Sequence, residues 1–400
     1  MTSEDKATHP PVRLGVIGLG RAFMLMLPAF RGDRRVELVA ACAPREQSRQ
    51  AFEAEFGGTA YDNVDDLCAD ASVEAVYIAT PHQMHADHAV AAARAGKHIL
   101  LDKPLAVDMA DGRRIVEAAK DAGVEVIIGP SHSFDRPVQQ ARALIESGAL
   151  GNVRMIQAFN YTDFLYRPRR PEELRTSEGG GVIFSQGVHQ IDIVRLLAGG
   201  EGRNITALIG AWDPERPTEG AYSALMSFAN GCIASLTYSG YAHFDSDVWM
   251  DDIGELGHRK SSGTYGAARS ALGMVANAQE EADLKTARTF GSGTAPKQAD
   301  QYEHFGPVIV LCDRGDLRLT PSGIHVYGDL KQEFIPAPAF ETARIEVIDA
   351  LVGLLRESRV PAQTARWGLA SLEACHAIIR SAETGSFVEL LEQVSVNQQD

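Results

Sequence analysis

The first 130 residues alternate short β-branched segments with helical ones, and this rhythm constrains the fold more than any other feature of the chain. Segments with the composition of buried strands lie at 13–18, 36–42, 74–79, 98–101 and 124–129. Segments with helical patterning separate them. Strands that alternate with helices form parallel sheets covered on both faces. The sequence therefore predicts an α/β domain with a doubly wound parallel sheet over residues 1–130.

The rhythm changes after residue 130, where strand-like segments cluster with few helices between them. They lie at 153–161, 204–212, 221–228, 232–241 and 315–319. Such clustering favours an antiparallel sheet. We therefore expect an α+β domain over residues 131–400 with a largely antiparallel open sheet. A polar excursion spans about 245–305, and a final helix near 364–382 is a candidate to pack back on the first domain.

The net charge and the spacing of the cysteines limit the classes of partner and the cellular compartment that we expect. A net charge of −15 argues against nucleic acid or an acidic membrane as a partner, and an anionic substrate then needs a local basic pocket. The five cysteines are scattered and never in CxxC spacing, which is typical of reduced thiols in a cytoplasm. Residues 1–11 lack an apolar signal core, and no apolar run has the length of a membrane span. We therefore expect a cytoplasmic protein.

A glycine-containing turn follows the first strand and opens a helix, which is the context that a dinucleotide-binding turn requires. Its residues are Gly18, Leu19, Gly20, Arg21 and Ala22. The first glycine permits the tight turn, the second lets the backbone approach a pyrophosphate, and the helix N-terminus offers amide donors. The third small position of the usual motif is Phe23 here, which is a departure. The turn predicts a dinucleotide cofactor.

The end of the second strand leaves NAD and NADP as alternatives. This strand ends Cys42-Ala43-Pro44-Arg45 and lacks the acid that usually binds the adenosine ribose. Arg45 and Arg49 could contact a 2′-phosphate, which would favour NADP, or both could face solvent. Ala43 and Arg45 are the candidate cofactor contacts at this strand end.

The ends of the next two strands also carry polar residues, at the edge of an open sheet where ligands bind. The candidate cofactor contacts there are Thr80, Pro81, His82, His85, Asp102 and Lys103. Lys103 could stay charged and hydrogen-bond a hydroxyl, or lose its proton and act as a base. The alternative is a solvated pair with Asp102.

Histidines recur every third residue at 82, 85 and 88, a spacing that could present metal ligands on one helix face. No cysteine or carboxylate cluster completes such a site. We predict no metal.

A glycine run at 179–181 precedes a segment with candidate catalytic side chains. Ser185 and His189 are four residues apart and would share one face of a helix. His189 is a candidate general acid or base, because the unperturbed pKa of histidine lies near working pH. The alternative is a packed, hydrogen-bonded histidine on an apolar helix.

Basic residues crowd the segment just before that glycine run. They are Arg167, Arg169, Arg170 and Arg175. Guanidinium groups suit carboxylates, so the segment is a candidate for recognition of an anionic substrate. The alternative is a solvated basic loop that pairs with Glu172 and Glu173.

The chain resembles the glucose–fructose oxidoreductase, inositol dehydrogenase and MocA-like family. The matching motifs are GVIGLGR, ATPHQMHADHAVAAARAGKHILLDKPLA, GGGVIFSQGVHQID and WGLASLEACHAIIRSAETGSFVEL. The resemblance implies a nicotinamide cofactor, a Rossmann domain and a C-terminal open sheet that often mediates oligomerisation. It places the active-site lysine at Lys103 and the histidine at His189. The acid that usually stands four residues before that histidine is replaced by Ser185.

Within the family, the chain is most similar to phthalate 4,5-cis-dihydrodiol dehydrogenases. The motifs are SHSFDRP, YRPRRPEELR and, after the long excursion, EHFGP. The resemblance implies an anionic aromatic dihydrodiol as substrate, which would explain the arginines. His132 and His304 lie in these motifs and, with Ser185, are further candidate substrate contacts. It also favours NAD, and an absent acid alone is not a phosphate site, so we expect NAD with NADP possible.

We therefore expect an NAD-dependent dehydrogenase that converts a carboxylated cis-dihydrodiol into a catechol, in a homo-oligomer (dimer or tetramer). One alternative is a sugar or inositol dehydrogenase of the same fold. Another is a non-catalytic dinucleotide-binding sensor, against which the presence of both Lys103 and His189 argues.

Overall fold

The computed structural model describes residues 9–293 and 297–396. These residues divide into two compact units that are discontinuous in sequence. Unit 1 contains the chain up to Pro130 together with 284–298 and 344–369, and unit 2 contains 131–283, 299–343 and the chain from Ala370 onward. The contiguous limits expected above, 1–130 and 131–400, stay a prediction.

Unit 1 is built on a parallel sheet, which confirms the predicted doubly wound α/β fold. Among the described residues its strands are β1 (Val12–Ile17), β2 (Val36–Cys42), β3 (Thr59–Tyr61), β4 (Ala75–Ile78), β5 (His98–Leu101) and β6 (Val126–Ile128). The order across the sheet is β3-β2-β1-β4-β5-β6. The direction of winding reverses between β1 and β4, the position at which open α/β sheets bind ligands.

Five of the helices described in unit 1 alternate with these strands. They are α1 (Arg21–Gly32), α2 (Glu46–Phe56), α3 (Val64–Ala69), α4 (His85–Arg94) and α5 (Met109–Ala122). Strand β3 and helix α3 were not predicted, because segments of three and six residues are too short to show a periodicity. Val16 pairs with Ala41 on one side and Tyr77 on the other, so β1 is the centre of the buried sheet.

Unit 2 contains a mixed sheet that is mostly antiparallel, which confirms the predicted second architecture. It begins with α6 (Arg136–Glu146), β7 (Val153–Tyr161) and α7 (Val188–Ala198). The further strands are β8 (Gly202–Gly210), β9 (Ala221–Phe228), β10 (Ile233–Ser239), β11 (Val308–Cys312), β12 (Gly315–Thr320), β13 (Gly323–Tyr327), β14 (Gln332–Pro336) and β15 (Val388–Glu389). The order is β14-β13-β12-β11-β7-β10-β9-β8-β15, and β7 pairs in parallel with β10.

Helices α6 and α7 pack on one face of this sheet. The remaining helices in the described chain are α8 (Ala267–Leu272), α9 (Ala278–Thr286), α10 (Ile345–Glu357) and α11 (Ala365–Thr384). The predicted excursion contains α8, α9 and short 3₁₀ turns at Ser246–Met250 and Ser262–Thr264.

Candidate active site

The glycine turn after β1 has the geometry that a pyrophosphate requires. Gly18 has a φ of +98°, and a Cβ added there would lie 2.8 Å from the Ala79 carbonyl oxygen, so only glycine fits. Gly20 caps α1 without a side chain, and a Cβ added there would meet nothing closer than that same oxygen at 3.8 Å. The first turn of α1 has no acid. The amides and positive dipole of this N-terminus therefore fit an anionic phosphate group.

Both arginines near the end of β2 form hydrogen bonds within the protein. Arg45 donates to Thr289 Oγ1 at 2.5 Å, and Arg49 donates to the carbonyl oxygens of Ala43 and Pro44 at 2.8 and 2.9 Å. The Phe290 amide in turn donates to the Leu19 carbonyl at 3.1 Å. A 2′-phosphate would have to compete with these bonds, so the arrangement favours NAD over NADP.

His85 connects the loop after β4 to the loop after β5. Its ring is fully buried, with Nδ1 2.8 Å from the Pro104 carbonyl and Nε2 3.0 Å from the Thr80 carbonyl. Burial lowers its pKa. Because both ring nitrogens face backbone oxygens, His85 supports the loops that carry the other candidates. His88 also turns Nδ1 to Thr80 Oγ1, at 3.1 Å.

Lys103 lies at the carboxyl end of β5, beside the point where the sheet reverses its winding. It is partly buried, and its backbone amide donates to Asp102 Oδ1 at 2.8 Å. Burial raises the pKa of the Asp102 carboxyl, while the charges of Lys103 and His85 oppose this rise. Asp102 therefore shapes the start of the loop through its own bond to the backbone. The neighbouring candidates Pro81 and His82 begin the 3₁₀ turn at His82–Met84.

In unit 2, the segment before His189 is not the regular helix expected from its spacing. Ile183–Gly187 forms a π turn that leads into α7. The Ser185 hydroxyl donates to the Gly181 carbonyl, an oxygen that an α-helical amide would otherwise use. Turns of this kind occur often at functional sites.

His189 lies in a buried cluster assembled from three separate segments of unit 2. Its ring centroid is 4.7 Å from that of His132 and 5.2 Å from that of Phe305. Its Nδ1 is 3.5 Å from Ser131 Oγ, and the Ser131 hydroxyl donates to Asp192. The structure thus brings together two predicted site residues, His132 and His189, with polar partners that can orient them.

His132 and His304 have different surroundings. His132 Nδ1 is 2.8 Å from Asp135 Oδ2, and ligand atoms of His132, Asp135 and Glu303 lie within 4.8 Å of one another. The absence of a metal from the site stays a prediction. His304 directs Nε2 to the Ile253 carbonyl at 2.8 Å and accepts at Nδ1 from the Gly306 amide at 2.9 Å. Burial lowers its pKa to about 4.

The four arginines of the basic segment differ in their partners. Arg167 lies 3.0 Å from Glu255 Oε2 and 3.2 Å from Asp163 Oδ1, and Arg175 pairs with the nearby Glu178 at 2.7 Å. Burial raises the pKa of Glu255, but Arg167, together with His132 and Asn160, outweighs this effect, so the pKa lies below its usual value. The Arg170 amide donates to Glu173 Oε2 at 2.8 Å.

Arg169 is the exception in this segment. Its NH2 group donates to the Phe164 carbonyl at 2.8 Å, and its guanidinium lies 3.5 Å from the centroid of the Phe164 ring. Its buried Nε has no hydrogen-bond partner, and no carboxylate in the described part of the chain forms an ion pair with it. Burial lowers its pKa to about 10, although the charge of Glu173 opposes this. A positive group with these properties can accept a carboxylate ligand.

Sequence reasoning missed several residues that complete these arrangements: Ser131, Asp135, Asp192, Glu255 and Thr289. Asp192 could have been found, because it stands three residues after His189 and therefore on the same side of a helix. Glu255 and Thr289 could not, because their arginine partners are 88 and 244 residues away.

Comparison with known proteins agrees with this geometry. The model of the oxidoreductase family with an NAD-binding Rossmann fold, GFO/IDH/MocA, matches residues 12–130, and the GFO/IDH/MocA C-terminal domain matches residues 138–258. The 1-carboxy-3-chloro-3,4-dihydroxycyclohexa-1,5-diene dehydrogenase of Comamonas testosteroni is 44% identical over 379 residues, covering 93% of this chain and 95% of that protein.

Solved structures share the architecture. A chain from Bordetella bronchiseptica RB50, assigned to the dehydrogenases without a stated substrate, has a TM-score of 0.88 and 39% identity, covering 95% of this chain and 100% of that chain. Levoglucosan dehydrogenase, solved with NADH and levoglucosan, has a TM-score of 0.72 at 18% identity, covering 95% and 99%, and it shows the fold alone.

These relationships confirm the predicted NAD cofactor and the enzyme class, and they set aside the alternative of a non-catalytic sensor. No helix among the described residues is long and apolar enough to cross a membrane. The parallel sheet with its glycine turn, the open mixed sheet and the full-length relative lead to one assignment. This chain belongs to the GFO/IDH/MocA family of NAD-binding oxidoreductases.

Proposed function

We propose that this enzyme oxidises a carboxylated aromatic cis-dihydrodiol to the corresponding catechol. The observation that carries the proposal is the relationship with the Comamonas testosteroni dehydrogenase, which extends over nearly the whole of both chains. The substrate in that protein's name is a cyclohexadiene ring with one carboxyl group and two adjacent hydroxyls. More specifically, we propose a substrate of the phthalate type, which has a second carboxylate.

The reaction removes a proton from one ring hydroxyl and a hydride from the carbon that bears it. When bound, NAD supplies the acceptor for that hydride. A base takes the hydroxyl proton, and Lys103 and His189 are the two candidates for this role. The hydroxyketone that results tautomerises to an aromatic catechol, which makes the overall oxidation favourable. The chain otherwise contributes by holding the substrate in position.

The cofactor would be held by backbone more than by side chains. Gly18 and Gly20 leave the amides at the start of α1 open to the pyrophosphate. Ala43 and Arg45 would lie at the adenosine end, and Thr80, Pro81 and Lys103 at the nicotinamide end. The remaining candidate contacts are Leu19, Arg21, Ala22, His82, His85 and Asp102. Of these, His85 and Asp102 act through the loops that they brace.

Among the four arginines, we propose Arg169 as the residue that binds the substrate carboxylate. Arg167 and Arg175 already pair with carboxylates of the protein, whereas Arg169 forms no ion pair with a carboxylate of residues 9–293 or 297–396. Because the chain has a net charge of −15, an anionic substrate needs a local positive group of this kind. A bound carboxylate would supply the buried Nε with the acceptor that it lacks, and this charge-assisted bond would fix the orientation of the ring.

Initial rates on a substrate panel test the proposal. The panel contains mono- and dicarboxylated cis-dihydrodiols, a neutral cis-dihydrodiol, and inositol and simple sugars, each with NAD and with NADP. We expect the highest kcat/KM for a carboxylated dihydrodiol with NAD. Equal or higher efficiency on neutral sugars would contradict the proposal and return the chain to the polyol dehydrogenases of its family.

We further propose that the enzyme is a homo-oligomer assembled through the outer face of the sheet in unit 2. Leu208, Leu225 and Ile233 on β8, β9 and β10 are 73%, 63% and 49% exposed, although they lie on strands of one sheet. Exposed apolar side chains grouped in this way are typical of interfaces. Light scattering coupled to size-exclusion chromatography should give a dimer or a tetramer, and Leu225→Asp should lower the mass to that of a smaller species.

A further inference from the structure

Ser131 and Asp192 lie beside His189, and neither is among the site residues that the sequence analysis predicted. Ser131 follows the strand β6 by three residues, and Asp192 lies on α7 one turn after His189. Ser131 is 9% exposed and Asp192 is 5% exposed, so water does not compete freely for their bonds. The Ser131 hydroxyl contacts two groups, Asp192 Oδ2 and His189 Nδ1.

The directions of these two bonds follow from the number of available protons. An ionised carboxylate can only accept, and the buried guanidinium of Arg195, one turn further along α7, provides a positive charge that interacts with Asp192. The Ser131 hydroxyl has a single proton and donates it to Asp192. Its oxygen therefore presents a lone pair to His189 Nδ1, 3.5 Å away, and this contact is satisfied only when Nδ1 carries a hydrogen.

We propose that Asp192 acts through Ser131 to hold His189 in the tautomer with its proton on Nδ1. In this tautomer Nε2 carries no hydrogen and can accept the proton of the substrate hydroxyl. Asp192 and Ser131 are then positioning residues, because neither needs to touch the substrate. The 3.5 Å separation is at the long end of hydrogen bonds, as is common for catalytic contacts without substrate. The proposal rests on the proposed function only in giving His189 the role of base.

The tautomer can be measured without substrate. The full-length enzyme is labelled with ¹⁵N-histidine, and long-range ¹H–¹⁵N spectra distinguish Nδ1–H from Nε2–H rings. The signal of His189 is identified by its absence in His189→Ala. We expect Nδ1–H in the wild type. Ser131→Ala should shift the population towards Nε2–H, and Ser131→Thr, which keeps a hydroxyl, should retain the wild-type tautomer.

Asp192→Asn tests the proposed direction of the hydrogen bond between Ser131 and Asp192. Its amide can donate to Ser131 Oγ, so the serine proton becomes free to point at Nδ1 and favours the Nε2–H tautomer. Ser131→Ala and Asp192→Asn should each lower kcat by about ten-fold or more, which is a part of the roughly 10²–10⁴-fold that a general base contributes, with little change in KM. Ser131→Thr should restore most of kcat. Circular dichroism and NADH binding establish that each variant is folded.

An Nε2–H ring in the wild type, or an unchanged tautomer in a folded Ser131→Ala variant, would overturn the proposal. A loss of kcat in Ser131→Ala that Ser131→Thr does not restore would also contradict it. If the tautomers behave as expected but no dihydrodiol in the substrate panel is oxidised, the proposed substrate fails while the relay through Ser131 stands.

Discussion

The candidate residues of unit 1 and those of unit 2 are assembled in different ways. In unit 1 they come directly after β1, β2, β4 and β5, where a parallel sheet brings the ends of its strands to one edge. In unit 2 the surroundings of His189 come from 131–135, 189–192 and 303–305, which no repeating pattern relates. The first site depends on backbone shape, and the second depends on side-chain packing.

The largest effect should come from the backbone of unit 1. Gly20→Val should abolish NADH binding, because the side chain would occupy the space through which the pyrophosphate reaches the amides. The variant should still fold, since a Cβ at Gly20 meets nothing closer than 3.8 Å. Fluorescence titration with NADH measures the loss. Gly18→Val is the contrasting variant and should be destabilised, because its Cβ would lie 2.8 Å from the Ala79 carbonyl. Unchanged NADH affinity in Gly20→Val would refute the assignment.

The two candidate catalytic residues should separate chemistry from cofactor binding. Lys103→Met and His189→Ala should each lower kcat by about 100-fold or more, the scale of an acid or base. His189→Ala should leave NADH affinity nearly unchanged, while Lys103→Met should weaken it as well, because Lys103 lies at the edge of the cofactor sheet. Steady-state kinetics and NADH titration measure both quantities. Turnover near the wild-type rate in His189→Ala would make that histidine structural.

Among the arginines, a matched pair distinguishes carboxylate recognition from surface charge. Arg169→Ala should raise KM for a carboxylated dihydrodiol by about ten-fold or more, because a charge-assisted hydrogen bond contributes about 1.5–3 kcal/mol. Arg175→Ala should have little effect, since that side chain is exposed and pairs with Glu178. Arg169→Lys tests geometry at constant charge and should recover little. Equal KM values in all three variants, or the same increase for a neutral diol, would exclude Arg169 as the carboxylate contact.

The smallest expected effect on activity concerns pH and two buried neighbours in unit 2, His304 and Asp247, whose nearest atoms are 3.7 Å apart. Burial lowers the pKa of His304 from 6.5 to about 4, which corresponds to about 3 kcal/mol of stability lost as pH falls through this range. Burial raises the pKa of Asp247 from 3.8 to about 7, opposed by Lys260, so this carboxyl loses stability as pH rises through that range.

Denaturant unfolding at pH about 7.5 and about 5 measures the two contributions. His304→Asn should reduce the loss of unfolding free energy on acidification, and Asp247→Asn should increase it. Each asparagine keeps a polar group at its position and serves as the control for the other. Changes in the same direction would show that the two groups do not titrate in this way.

The difference between the two units also explains which of their features could be predicted from the sequence. Short runs such as LGVIGLG and ILLDKPL contain both a strand and the turn that follows it, so the fold of unit 1 and the positions of Gly18 and Lys103 could be predicted from neighbouring residues alone. The role of the arginines could not be assigned individually. Whether Arg167 or Arg169 has a carboxylate partner depends on Glu255, 88 residues beyond Arg167.

The amino-acid sequence by itself determined the alternation of strands and helices and the glycine turn after β1, and it named His189 and Lys103 as candidates, because these inferences depend on local periodicity and on residue type. Tertiary structure alone decided that Thr289 binds Arg45, that Arg169 has no carboxylate partner among the residues that the structure describes, and that Ser131 joins Asp192 to His189. Hydrogen bonds and ion pairs depend on distances of a few ångströms between groups far apart in the chain, and such distances exist only once the core has packed.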